Sequence, residues 1–178
     1  MMRAKLLVLA ATVTAMVIAA AGLASGASGG SGPTPWHIPP ETVVADIPAA
    51  DACPAATSGM TITYLGGNLT ITNFPNGASV SGGVGQLKVT NTATGKFVVV
   101  PSAGYGYYGP QGNGFVNIAA GPDQLWTFNP GDAGPGDHSV GRVYLIAGVT
   151  SAQITADGVT VAFNYAGKIV EDVCTAIS

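Results

Sequence analysis

From Cys53 to Cys174 the sequence is a succession of short apolar–polar alternations broken by turn residues, with no helical period longer than about two turns. Met60–Tyr64, Leu69–Thr72 and Leu87–Thr90 put apolar side chains on one face and Thr or Lys on the other, the period of a half-buried strand. Phe97–Val100 is apolar on both faces, as a central strand would be. Leu125–Phe128, Val143–Ile146, Ala152–Thr155, Val159–Tyr165 and Ile169–Val173 complete nine predicted strands. Asp157-Gly158 between two such runs is hairpin chemistry, because both central positions of the favoured two-residue turn need positive φ. Gly66-Gly67-Asn68, Asn76-Gly77 and Thr94-Gly95 read as further turns. The pattern predicts an all-β domain: a β-sandwich, Ig-like or Greek-key, of about nine strands closed by one disulfide, with a β-barrel as the alternative. Ile62, Tyr64, Leu69, Ile71, Leu87, Val89, Phe97, Val99, Trp126, Phe128, Leu145, Val159, Val161 and Phe163 form the predicted inward set.

Ahead of that domain the texture differs. Met1-Met2-Arg3-Ala4-Lys5 is a short basic start, Leu6 to Ala21 is uncharged and apolar, and Ala24-Ser25-Gly26-Ala27 is a small-residue stretch. This is the layout of a cleaved secretory signal over residues 1–27. The apolar run spans roughly 24 Å as a helix, short of the ~30 Å hydrocarbon core. Cleavage near Ala27 and a secreted, extracellular product are therefore expected, with an N-terminal membrane anchor as the alternative. Residues 28–51, rich in Gly and Ser and then in Pro, read as a linker, and residues 52–178 as the domain.

Charge narrows the partners. Only 8% of residues are charged, against about 25% in an ordinary soluble domain. A net charge of −3 and the lack of any basic cluster exclude nucleic-acid binding through the phosphate backbone. No attraction to an anionic membrane is expected after signal cleavage. Outward Thr, Ser and Asn take the place of charges, as in the pairs Thr61/Thr63, Thr70/Thr72 and Thr90/Thr92.

The chain has two cysteines. In an exported protein the oxidised pair is the default, so a Cys53–Cys174 disulfide is predicted. A loop of that length removes roughly 4.7 kcal/mol or slightly more of chain entropy from the unfolded state. Two thiols with no nearby histidine do not make a metal site, and no cofactor is expected.

Catalytic candidates are few. His138 lies between Asp137 and Ser139, but adjacent residues on one loop cannot line up as acid, base and nucleophile. Glu41 and Glu171 are the only glutamates, so a paired-carboxylate site would have to rely on aspartates. The run Asn129–Asp137 is dense in Asp, Gly and Pro; without the ligand spacing of a calcium loop it reads as a structural turn. The expectation is a non-catalytic binding domain, with a hydrolase using Asp residues near 129–138 as the alternative. The binding candidate is the stretch from Tyr105 to Gly114, read as a Gly-rich loop. Tyr105, Tyr107 and Tyr108 would offer aromatic contact area, and Gln111 and Asn113 hydrogen bonds to hydroxyls. Cell-wall carbohydrate or an extracellular protein is the expected partner.

The Ala-rich leader, Asn68-Leu69-Thr70-Ile71-Thr72-Asn73, Leu87-Lys88-Val89-Thr90-Asn91, Leu125-Trp126-Thr127-Phe128 through Pro130-Gly131-Asp132, Gly141-Arg142-Val143-Tyr144 and the closing Asp172-Val173-Cys174 together resemble the uncharacterised small secreted β-domain proteins of actinobacteria. The resemblance runs from about Cys53 onward. It implies export and a β-rich domain, and transfers no catalytic residue, ligand or partner.

Overall fold

The computed structural model describes residues 33–178 apart from 55, 57 and 138. The expected signal segment, the Gly/Ser run that follows it and His138 therefore lie outside the described residues. Among the described residues there are nine strands: β1 (Thr34–His37), β2 (Thr42–Ile47), β3 (Met60–Gly67), β4 (Thr70–Asn73), β5 (Ser79–Asn91), β6 (Phe97–Gln111), β7 (Gly114–Phe128), β8 (Arg142–Ile154) and β9 (Thr160–Asp172). One short helix, α1 (Val173–Ala176), follows.

All pairings are antiparallel and join the strands into one connected sheet. From β5 to β9 it is a meander of hairpin neighbours. The first part of β5 pairs with β4, which in turn pairs with β1; its second part pairs with β3, which pairs with β2. β1, β2 and β9 each pair on one side only, so the sheet does not close into a barrel.

The strands from β5 to β9 are 13 to 15 residues long, and none of them runs flat. Phe163 on β9 is opposite Ala152, which lies on β8 opposite Asn117 of β7. Trp126 is further along β7, by the span from 117 to 126. At about 3.3 Å per residue a flat sheet would hold Phe163 and Trp126 roughly 25–30 Å apart. Their ring centroids are 4.9 Å apart, and those of Phe163 and Phe128 are also 4.9 Å apart. The long strands thus turn a corner, and one half of the sheet packs over the other, as where strands pass between the layers of an orthogonal sandwich.

Glycine makes the corner. Gly83 is opposite Gly104, Gly121 opposite Gly148, and Gly148 opposite Gly167. Gly104 and Gly121 meet across β6 and β7, where a Cβ on Gly121 would lie 2.6 Å from the Gly104 Cα. One row of glycine therefore crosses all five long strands. Gly104 (φ 151°) and Gly148 (φ 130°) have the positive φ that L side chains rarely adopt. A Cβ at Gly104 would stand 2.6 Å from the Ala120 carbonyl oxygen, and one at Gly148 would run into that of Ala166. Register shifts flank the row at Ala103/Tyr105 and Gly121/Gln124, the bulges expected where a strand bends sharply.

Beyond the row the sheet splits. Phe97–Ser102 of β6 pairs with β5 but not with β7, and Gln124–Phe128 of β7 pairs with β8 but not with β6. α1 touches both β8 and β6. Asp172 caps the helix by accepting from the Thr175 N–H (3.3 Å), and Val173, Cys174 and Ile177 are buried. The Asn91 amide donates to the Ile177 carbonyl (3.3 Å) and the Val143 N–H to Cys174 Sγ (3.3 Å). The predicted Cys53–Cys174 disulfide is present, with Cα atoms 5.3 Å apart and both cysteines buried. It ties α1, at the C-terminal end, to the β2–β3 connection.

Three expectations change. Residues 28–51, read as linker, supply β1 and β2; their prolines fall before and between the strands or on the edge strand β1, where a missing N–H is tolerated. Phe97 and Val99 are exposed, because their partners Thr90 and Lys88 fix the phase that an all-apolar run leaves undefined. Val159 and Val161 are exposed as well, with Val161 beside the register shift at Gln153/Ile154. Gly66 and Gly67, read as a turn, complete β3.

The corner predicts a contrast between glycines. Gly148→Ala should lower stability by roughly 2–4 kcal/mol, since its Cβ meets paired backbone in a strained φ. Gly77→Ala, also at a positive φ (81°) but with open space around the Cβ, should cost only about 1 kcal/mol. Urea denaturation of the two variants checks this, and equal losses would contradict it.

Candidate binding surface

The corner leaves one broad face of the sheet uncovered. Val80, Tyr107, Ile118, Ser151 and Asn164 stand opposite one another in a cross-strand row over β5 to β9. Gly82, Tyr105, Ala120, Val149 and Ala166 form the next row on the same face. No Asp, Glu, Lys or Arg occupies either row. Tyr105 is 75% exposed, and Val80, Tyr107, Ile118 and Val149 are exposed too. Together they form a contiguous apolar and aromatic patch, on which two of the predicted binding residues, Tyr105 and Tyr107, fall.

Two glycines seat the tyrosines. A Cβ on Gly82 would lie 2.7 Å from Tyr105 Cδ1 and 2.9 Å from Cε1, and a Cβ on Gly109 would lie 2.6 Å from Tyr107 Cζ. Each ring therefore lies down over a bare stretch of backbone, as an aromatic does when it covers a glycine in a sheet. On the β1 side the face continues through Thr70, opposite Gly82, and His37, whose Nδ1 is 3.1 Å from the Thr70 hydroxyl.

The residues predicted for binding separate into three places. Tyr105 and Tyr107 share this face, on strand β6 instead of the expected loop. Tyr108 points the other way: it is buried and stacks on Phe115 at 5.1 Å, and burial pushes its phenol up to about 12. The strand period of two makes that division inevitable once the segment is a strand. Gln111 and Asn113 are exposed at the β6–β7 turn, where with Gln153 and Asp157 they border an open groove of about 560 Å³. A separate cavity of about 30 Å³ lies beneath β6, lined by Ser81, Ser102 and Gln124, and the buried Ser81 hydroxyl has no partner. It has room for little more than a water molecule.

Gln124 escaped the sequence reading. Its amide donates to the Gly121 (3.1 Å) and Gly148 (2.6 Å) carbonyls, and its oxygen accepts from the Thr150 hydroxyl (2.6 Å) and the Trp126 indole (3.4 Å). It thereby satisfies backbone groups that the bend takes out of the ladder.

The aspartates of the 129–137 loop are engaged structurally. Asp132 is buried; one carboxylate oxygen accepts from the Asn129 N–H (2.8 Å) and the other from the Thr160 N–H (2.8 Å). The Ala133 N–H donates to the Thr160 carbonyl (2.7 Å), so the loop latches the end of β7 to the start of β9. Asp137 accepts from the Ser139 N–H (2.8 Å) and hydroxyl (2.7 Å). Among the described residues no group of three or more His, Cys, Asp or Glu is placed to hold a metal ion. No protein-family model, curated protein or solved structure matches this chain. What fold and surface define is a disulfide-closed all-β domain with an exposed face, two rows of which carry no charged residue.

Burial raises the Asp132 carboxyl above the usual carboxylate range; the Asn129 and Thr160 N–H groups pull it back, and Asp51 adds a smaller push upward. The folded protein holds this proton more tightly than the unfolded chain, so the group's contribution to stability falls as pH rises through its folded pKa. Asp132→Asn keeps one acceptor oxygen, leaves one buried N–H unpaired and should lower stability by roughly 1–3 kcal/mol. Its deficit against wild type should shrink between about pH 4 and pH 7, as wild type alone loses the proton-linked component. Urea titrations at the two pH values check the sign, and a deficit that grows with pH would contradict it.

Proposed function

We propose that this protein is an exported, non-catalytic domain that binds a neutral polysaccharide at or outside the cell surface through the face built on Tyr105 and Tyr107. The observation that carries this reading is the pair of tyrosine rings laid over Gly82 and Gly109, with no charged residue in their rows. A sugar ring presents axial C–H groups to an aromatic face and hydroxyls to its edges, and an aromatic with a polar tip suits both. Thr70 and His37 on one flank and Ser151 and Asn164 on the other supply neutral donors and acceptors. An exposed row running across five strands fits an extended chain better than a small molecule, which needs a concave site.

Export is supported by the basic start and apolar run of the leader. The disulfide is compatible with an extracellular location, and among the described residues no helix is long and apolar enough to cross a membrane. The hydrolase reading loses support because both oxygens of Asp132 are taken up by backbone N–H groups.

Affinity electrophoresis through gels containing neutral cell-wall polysaccharides tests the proposal. Wild type should be retarded; Tyr105→Ala and Tyr107→Ala should each weaken retention roughly tenfold, about 1.4 kcal/mol. Tyr108→Phe, on the buried side, should bind as wild type. Equal retardation of all four proteins, or retardation of none, would refute the reading.

A further inference from the structure

The open edges of this sheet are not protected alike. β1 is 4 residues long, and β2 carries Asp46 and a register shift between Val43 and Ala45. The half of β6 that β7 leaves unpaired belongs to a strand that α1 touches. β9 is 13 residues long and among the described residues pairs with β8 alone; its register shifts fall towards its ends, at Val161 and Val170, and leave Ala162–Ile169 regular. Every residue from Asn164 to Val170 is exposed, among them Tyr165, Ile169 and Val170, so neither face of that stretch is covered. A long edge strand with apolar side chains and unpaired backbone groups is a template for another strand.

We propose that a second copy of this chain adds at this edge, β9 against β9 and antiparallel, about a two-fold axis through Gly167. The corner selects both the partner and the register. The glycine row reaches the edge at Gly167, opposite Gly148, so β9 bends at that level and a flat strand could pair with only one of its halves. A strand that follows both halves must bend at the same point, and the β9 of a second copy does so when Gly167 meets Gly167. A two-fold axis then makes every contact twice, with the same patch on both subunits.

The register is chemically consistent. Within the regular stretch, residues whose numbers are symmetric about 167 become partners: Tyr165 faces Ile169 and Ala166 faces Lys168. Tyr165 with Ile169 is an aromatic–β-branched pair, a favourable cross-strand combination, and no like charges stand directly opposite. The two Lys168 side chains come out diagonal to each other across the axis, where they repel weakly. Lys168 therefore limits the affinity of the pair without blocking it.

Sedimentation equilibrium of the purified protein over a concentration series tests the proposal. The mass should rise to twice that of the chain. Lys168→Gln should tighten association roughly twofold to fivefold by removing the diagonal repulsion. Ile169→Lys should weaken it at least tenfold, with a melting curve confirming that the variant is folded. Independently of those variants, a chain carrying both Tyr165→Cys and Ile169→Cys should oxidise to a covalent dimer, whereas Tyr165→Cys alone should not, its copies lying roughly 13 Å apart along the strands. Monomer mass throughout the series, no cross-link from the double variant, or a cross-link from Tyr165→Cys alone would each overturn the proposal.

Discussion

The row of glycine that crosses β5 to β9 is the constraint on which the remaining structure depends. At Gly104 and Gly148 the backbone takes a φ that other residues resist, and a Cβ at Gly104, Gly121, Gly148 or Gly167 would press on the neighbouring strand, as one at Gly83 would on Asn68 of the β3–β4 connection. Bending five strands at one level brings Phe163 onto Trp126 and Phe128, so residues that a flat sheet would separate share one core. The split between β6 and β7, the place of α1 beside it and the latch from Asp132 to Thr160 all follow from that fold in the sheet. The Cys53–Cys174 bond then holds α1, beside the split, to the β2–β3 connection.

A bend of this kind carries a polar cost, and the molecule meets it with one side chain. Gln124 takes up the Gly121 and Gly148 carbonyls and is itself held by Thr150 and Trp126. The network is buried, so its members are worth more satisfied than their number suggests. The core forms on the inner side of the bend, and the opposite side, with Val80, Tyr105, Tyr107, Ile118 and Val149, stays exposed. Tyr105 and Tyr107 lie on that face because glycine again provides seats for them, at Gly82 and Gly109. Glycine thus serves two purposes here: close approach of backbone at the corner, and room for aromatic rings on the surface.

Much of this was legible in the sequence, and the remainder was hidden for identifiable reasons. Period-two alternation located the runs that became β3, β4 and the second half of β5, and two cysteines in a chain with an export-type leader indicated the disulfide. The full length of the strands was not visible, because a glycine inside an alternating run reads as a turn. Val143–Ile146 and Ala152–Thr155 looked like two strands, yet all but Thr155 fall on β8, on either side of Gly148. A positional signal did exist: Gly104 and Gly121 are equally far from the Gly112-Asn113 turn, as Gly148 and Gly167 are from Asp157-Gly158. Equal spacing on both arms of a hairpin places the glycines opposite each other. The tyrosine pair was legible as a binding candidate, but its division from Tyr108 needed the strand assignment that the glycines obscured. Gln124 gave no sequence signal, since its role exists only once the bend does.

The most direct test of this account is whether side chains from opposite sides of the glycine row touch in solution. Proton NMR of the folded protein, with Trp126, Phe128 and Phe163 assigned, reports that through nuclear Overhauser effects, which vanish beyond about 5–6 Å between protons, well short of the roughly 25–30 Å a flat sheet would impose. The corner predicts strong cross-peaks from the Phe163 ring to the Trp126 indole and to the Phe128 ring. Intact β7–β8–β9 pairing without those cross-peaks would mean that the strands run straight, and would contradict the account.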